Sequence, residues 1–218
     1  EAVFRAINAD EDVIDHLTDS VNRYLVKMST KIASETHIAI FQEYNKVLNE
    51  FERIGDHALN IAETAKKLRE EKLAFSVYAL REQDVLMELI NQILSVTNTA
   101  FTYRDLNAAK HIEPLEEVVD DMVNALRQNH LERLRQRQCS VLAGTVFLNL
   151  LSDIERISDI CSNVGVATIA RMNPQLKHQI HDYVSLLHAG KDEAFNREYH
   201  DAHDHYFELL YAEDEAKA

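Results

Sequence analysis

The sequence predicts an all-α protein of six long antiparallel helices arranged as two tandem three-helix bundles, and three observations carry that expectation. Only 4 Gly and 2 Pro occur among 218 residues, where average usage of about 12% for the pair predicts roughly 26. Sandwiches, barrels and doubly wound sheets need a turn every 8 to 12 residues or so, so turn residues this scarce exclude them. Apolar residues also recur at helical spacing nearly from end to end. Finally, the chain repeats itself. Glu52-Arg53-Ile54-Gly55-Asp56 with Asn60 returns as Glu155-Arg156-Ile157-Ser158-Asp159 with Asn163, 103 residues later, and Glu11-Asp12-Val13-Ile14-Asp15 returns as Glu116-Glu117-Val118-Val119-Asp120, 105 residues later. The expected organisation is therefore one three-helix unit over residues 1–104 and a second over 105–218.

The spacing places helices at about 2–32, 37–70, 75–103, 106–135, 140–171 and 174–213. The first opens directly at the chain start, which lacks Met and reads as a segment excised from a longer protein. For the second, Ser34 or Thr36 supplies the N-cap, while Lys66, Lys67 and Arg69 complement the C-terminal dipole. In the fourth, Pro114 falls inside the helical pattern and is expected to kink it just before Leu115. Asn173-Pro174 reads as N-cap and first-turn proline for the last helix, and Gly190 is expected to split that helix. Gly55, Gly144 and Gly165 fall within helices, where they allow neighbours to approach closely.

Charge narrows the function. With 23 Lys and Arg against 37 Asp and Glu, the formal charge is −14. This excludes a nucleic-acid backbone or an anionic membrane as the main partner and favours cations. The longest run free of charged residues, Leu89 to Tyr103, is 15 residues, too short to span a bilayer. Cys139 and Cys161 read as residues of one helix about 33 Å apart, beyond disulfide reach.

Each repeat carries two Glu-x-x-x-Asp motifs, and the i to i+4 spacing puts both acids on one helix face. The midpoint of the motif centres Val13 and Ile54 falls at residues 33–34, in the first predicted turn; that of Val118 and Ile157 falls at 137–138, in the corresponding turn of the second repeat. Antiparallel hairpins then bring the motifs level. Four carboxylates face each other in each repeat: Glu11, Asp15, Glu52 and Asp56, then Glu116, Asp120, Glu155 and Asp159. Such groups repel and raise one another's pKa unless protons or metal ions intervene. All-oxygen donors suit hard cations, iron or manganese better than structural zinc.

The segment Glu52-Arg53-Ile54-Gly55-Asp56-His57-Ala58-Leu59-Asn60-Ile61-Ala62-Glu63 resembles the signature helix of the PhoU family of phosphate-transport regulators. Asn129-His130-Leu131-Glu132-Arg133-Leu134, then Cys139, Gly144 and the run from Phe147 to Asp159, is similar to the PhoU-like domain that follows the membrane part of bacterial sodium/phosphate cotransporters. The resemblance implies a PhoU-like pair of three-helix bundles, with metal clusters, iron foremost and manganese or zinc as alternatives, held by those eight carboxylates. It also implies a non-enzymatic role in controlling phosphate uptake at the cytoplasmic face of the inner membrane. The expected partners are an attached or associated membrane phosphate transporter, phosphate at the metal cluster and a second copy in a homodimer; nucleic acid is not among them. The alternative is a stand-alone PhoU-type adaptor that binds transporter or sensor-kinase proteins without an obligatory metal. Ile160 and Val166 stand where the first repeat has His57 and Glu63, so the second cluster is expected to be poorer in ligands.

Other constellations are weaker. His200, His203 and His205 form a candidate metal tail, His178 and His181 share one helix face, and His57 is a candidate partner of Asp56. No Glu stands three residues before any His, which excludes the di-iron carboxylate pattern of helical bundles. His181-Asp182 supplies the dipeptide of a metal-dependent HD-type phosphohydrolase, the remote alternative.

Overall fold

The structure, a computed structural model, describes residues 1–32, 34–173 and 179–212. Its elements are all helical: α1 (Ala2–Ser29), α2 (Glu35–Glu70), α3 (Val77–Tyr103), α4 (Leu106–Lys110), α5 (Ile112–Arg135), α6 (Val141–Met172), α7 (Ile180–His188) and α8 (Glu193–Tyr211).

Polar caps set most of the starts. Ser34, Ser76 and Ser140 accept from the backbone N–H groups of His37, Ala79 and Ala143, while Asp105 and Asp192 each accept from two. These side chains satisfy donors that the first helical turn leaves free. The ends explain how a glycine-poor chain turns at all. Lys72, Arg104 and Arg137 adopt positive φ of 54°, 55° and 57°, doing at helix ends what glycine usually does. Gly190, at φ 68°, lies between α7 and α8, as its position predicted.

Pro114 acts earlier than expected. The helix breaks at His111 rather than just before Leu115, because a proline ring clashes with the carbonyl four residues back; that residue is Lys110, the last of α4. Cys139 is also not in the same helix as Cys161, since α6 begins only at Val141 behind the Ser140 cap. Cys139 lies in the preceding turn with its Sγ 3.9 Å from His130 Nδ1, and Cys161 is buried. Pro174 and His178 lie outside the described residues, as do the side chains of Thr36 and His181.

Two antiparallel hairpins, α1/α2 and α5/α6, pack through α2 against α6. The Arg171 guanidinium near the end of α6 meets Glu43 at 3.6 Å and Tyr44 near the start of α2, while Asp153 meets His57 farther along, so α2 and α6 run antiparallel. Helix α3, expected to close the first unit with α1 and α2, instead packs mainly on α4, α5, α6 and α8. Two features hold it there. Leu86, Leu89, Ile90 and Ile93 are buried in the core shared with α5, α6 and α8, and the buried Glu82 accepts from Arg133 (2.7 Å) and Asn129 (2.9 Å) of α5. The expected close approach at a helical glycine is clearest at Gly144, where an added Cβ would lie 2.5 Å from His130 Cε1 and Nε2. Gly144→Ala is therefore expected to cost about 1–3 kcal/mol by overpacking, read from urea unfolding.

Candidate metal centre

The hairpin geometry places the predicted acids level. Helix α1 ends at Ser29 and α2 begins at Glu35, while α5 ends at Arg135 and α6 begins at Val141; the second motif midpoint, 137–138, and residue 34 of the first lie between the helices of their hairpins, and residue 33 lies outside the described residues. Glu11, Asp15 and Asp56 each offer one oxygen, all within 4.8 Å of one another, and Glu116, Asp120 and Asp159 do the same. Six of the eight acids thus converge in two groups of three, related by the internal repeat.

The remaining two stand beside the groups. Glu52 is held above the usual carboxylate range by burial and by Asp15, Asp56 and Asp19, which puts it in the field of the first group. Burial together with Asp15, Asp12, Asp56 and Glu52 likewise raises Glu11. Glu155 takes a bidentate contact from Arg127 at 2.6 and 3.2 Å. The first repeat has Asn22 at the position corresponding to Arg127, so the two sites differ in charge. Arg127 escaped the sequence reading because it lies seven residues past the Glu-x-x-x-Asp motif and meets a residue 28 positions away.

The second site is the more enclosed. Burial, then Glu113, Asp120, Glu117 and Asp159, push Glu116 up to about 9. Burial, then Glu155 and Asp159, push Asp120 up to about 6, and burial followed by Glu155 raises Asp159 against the lowering effect of Arg156 and Arg53. Asp120 Oδ1 is buried with no hydrogen-bond partner. Three carboxylates offering oxygens within 4.8 Å of one another, with a buried unpartnered oxygen on one of those residues, Asp120, have the donor chemistry and charge of a hard-cation site; the residues fit a metal.

This arrangement links stability to pH. Glu116 ionises at about 4.5 when unfolded and at about 9 when folded, so between those values the folded chain holds the extra proton and rising pH favours unfolding. The melting temperature of the metal-free chain is expected to be highest on the acidic side of this window and to fall as pH rises through it. Glu116→Gln should flatten that dependence in a series of thermal melts.

Other sequence candidates have different roles. His57 does not face Asp56; its Nδ1 lies 2.9 Å from Asp153 Oδ1 on α6, and Asn60 donates to the same oxygen. Glu63 and Lys67 line an open groove between α2 and α6 with Asn149, Ser152 and Asp153. His203 stacks on Phe207 with centroids 4.1 Å apart, and both His200 and His203 contact the Tyr199 ring; neither belongs to a carboxylate group among the described residues. Sequence reading missed Glu113, a buried acid that accepts from Ser162 (2.6 Å) and pairs with His188 Nε2 (2.8 Å), fastening α7 to α5 and α6. No described helix is long and apolar enough to cross a membrane.

Comparison with known proteins adds the family. The model of the PhoU domain matches residues 1–65 and 77–168. The phosphate-specific transport system accessory protein PhoU homolog 1 of Thermotoga maritima is 27% identical over 169 residues, 75% of this chain and 70% of that protein. The corresponding PhoU homolog of Clostridium acetobutylicum is 25% identical over 178 residues, 78% and 77% of the two chains. A relative from Escherichia coli whose description concerns inorganic phosphate export, YjbB, is 22% identical over 160 residues, 72% of this chain and 30% of its own length. Among solved structures, PhoU from Pseudomonas aeruginosa superposes with a TM-score of 0.74 at 17% identity, covering 79% of this chain and 82% of that one.

Proposed function

Because the chain belongs to the PhoU domain family, we propose that it regulates phosphate transport as an accessory-type protein, docking on a protein of the transport system and holding metal ions at its two carboxylate groups. The observation that carries the metal half is the convergence of Glu11, Asp15 and Asp56 and of Glu116, Asp120 and Asp159, each triplet within 4.8 Å, at matching places in two repeats. The transport half rests on relatives named as phosphate-transport accessory proteins, whose lengths are matched over 70% and 77%. These support an accessory protein better than the attached cotransporter domain that the sequence resemblance implied. YjbB, of which the match spans 30%, keeps the attached arrangement as the second reading.

A hard cation at either group supplies the positive charge that lets its acids ionise together. Asp15 and Asp56, or Asp120 and Asp159, then hold the two helices of a hairpin at one separation, with Glu52 and Glu155 at the rim. Arg127 already neutralises Glu155, so the second site asks for less added charge than the first. Through α2 and α6, which pack on each other, the state of either group can be felt across the molecule. Phosphate uptake measured in cells deleted for the chain tests the proposal. Restoring the wild-type chain is expected to change uptake, and the variant with all eight acids made neutral is expected not to. An equal response from both would exclude a role for the metal groups, and no response from either would exclude the regulatory reading.

A further inference from the structure

We infer that the corner where α3 and α6 end beside the first turns of α2 is an oxyanion site, in which Arg104, Arg171 and the Tyr44 hydroxyl together hold a small tetrahedral anion such as sulfate or inorganic phosphate. The three helices meet there over a small apolar cluster. Val47 of α2 is buried with Val164 and Ala167 of α6, and Phe51 and Phe101 pack against them. The Phe101 ring meets the Tyr44 ring edge-on with centroids 6.2 Å apart, which fixes where the phenol stands. The Arg171 guanidinium lies 5.0 Å from the centroid of that ring, and its Nη1 donates to the Tyr44 hydroxyl at 3.2 Å. Arg104, the C-cap of α3, hydrogen-bonds the same hydroxyl, from a backbone turned to a left-handed φ of 55°.

The fold alone does not ask for two cations on one neutral oxygen. An arginine at a helix C-terminus offsets the dipole there, but that role is met by each guanidinium at its own helix end. Glu43 reaches Arg171 at 3.6 Å, so two positive charges meet one carboxylate in a chain whose formal charge is −14. The Arg171 hydrogen bond, then the charges of both arginines, hold the Tyr44 phenol below its usual range although burial acts the other way. Donors also remain unspent. Arg171 uses Nη1 for both Tyr44 and Glu43, whereas a guanidinium carries five N–H donors in a fork that matches an oxyanion. The Tyr44 oxygen accepts from both arginines, which leaves its own proton to donate outward, and the residue is 36% exposed. A tetrahedral anion offers oxygens in several directions at once, so it can accept from both guanidiniums and from the phenol. This chemistry is opposite in sign to that of the carboxylate groups and does not depend on them.

Titration calorimetry on the intact chain tests this, once metal has been stripped and the chelator exchanged for a Tris-chloride buffer, so that no ion at the carboxylate groups holds anion. Sulfate and inorganic phosphate, titrated separately, are each expected to bind saturably at a single site. Arg104→Asn, whose side chain suits a left-handed backbone, should keep the circular dichroism and melting of the wild type yet weaken both anions by about tenfold or more. Tyr44→Phe should weaken them by a smaller factor. Glu43→Gln should tighten binding, since it removes the carboxylate that competes for Arg171. Arg5→Ala takes the same charge from α1 and should leave binding unchanged. No saturable binding of either anion up to about 20 mM, beyond the millimolar end of the affinity scale, would overturn the inference. So would Arg104→Asn binding as tightly as wild type, or Arg5→Ala weakening the anions equally, which would trace the effect to overall charge.

Discussion

Arg133→Met is expected to destabilise the chain by about 3–5 kcal/mol, because it leaves the Glu82 carboxylate buried without its guanidinium. The pair meets at 2.7 Å with both side chains at least nine-tenths buried, and it joins α3 to α5 in the main core. Asn129 still donates to Glu82 in the variant, but one amide donor does not replace a cation. The double variant Glu82→Leu with Arg133→Met removes both charges and should recover most of the loss, since matched apolar replacement of a buried ion pair is often close to neutral. Urea unfolding of the wild type, both single variants and the double variant gives the coupling directly. A single Arg133→Met variant as stable as wild type would show that the pair does not hold α3 in place.

The second large effect concerns metal. Asp15→Asn with Asp56→Asn is expected to abolish cation binding at the first group, and Asp120→Asn with Asp159→Asn to abolish it at the second, each leaving the other group intact. Because loss of outer hydrogen-bond partners alone weakens metal sites by about 10- to 100-fold, removing two of three converging ligands should cost at least about 100-fold in affinity. The apo chain should not suffer. Asp120 and Asp159 raise the Glu116 pKa, so neutralising them relieves repulsion, and the metal-free melting temperature at neutral pH is expected to stay level or rise. Titration calorimetry with manganese and thermal melts in chelator, on the same preparations, separate the two effects.

The sequence carried the hairpins because their logic is local. Motif midpoints falling at 33–34 and 137–138 locate two turns, and an antiparallel pair then aligns Glu11 and Asp15 with Asp56, and Glu116 and Asp120 with Asp159. The allegiance of α3 was not local. Its apolar stripe suits either hairpin, and what assigns it to α5 is Glu82 meeting Asn129 and Arg133, residues 47 and 51 positions away with no sequence pattern linking them. Arg127 on Glu155 and His57 on Asp153 were hidden for the same reason. The Pro114 break was legible in kind but misplaced, since the ring acts on the carbonyl of Lys110 rather than on its own turn. Scarce glycine correctly indicated few turns, yet Lys72, Arg104 and Arg137 take left-handed positions without it, so glycine count alone understates where helices end.

The central claim is that two groups of acids hold metal ions, and counting those ions tests it most directly. The wild-type chain and the variant with Asp15, Asp56, Asp120 and Asp159 all changed to Asn would be incubated separately with iron, manganese and zinc, freed of unbound metal by gel filtration, and assayed by elemental mass spectrometry. More than one ion per wild-type chain, with next to none on the variant, is the predicted result. A wild-type chain that retains none of the three metals, or a variant that retains as much as wild type, would contradict the account.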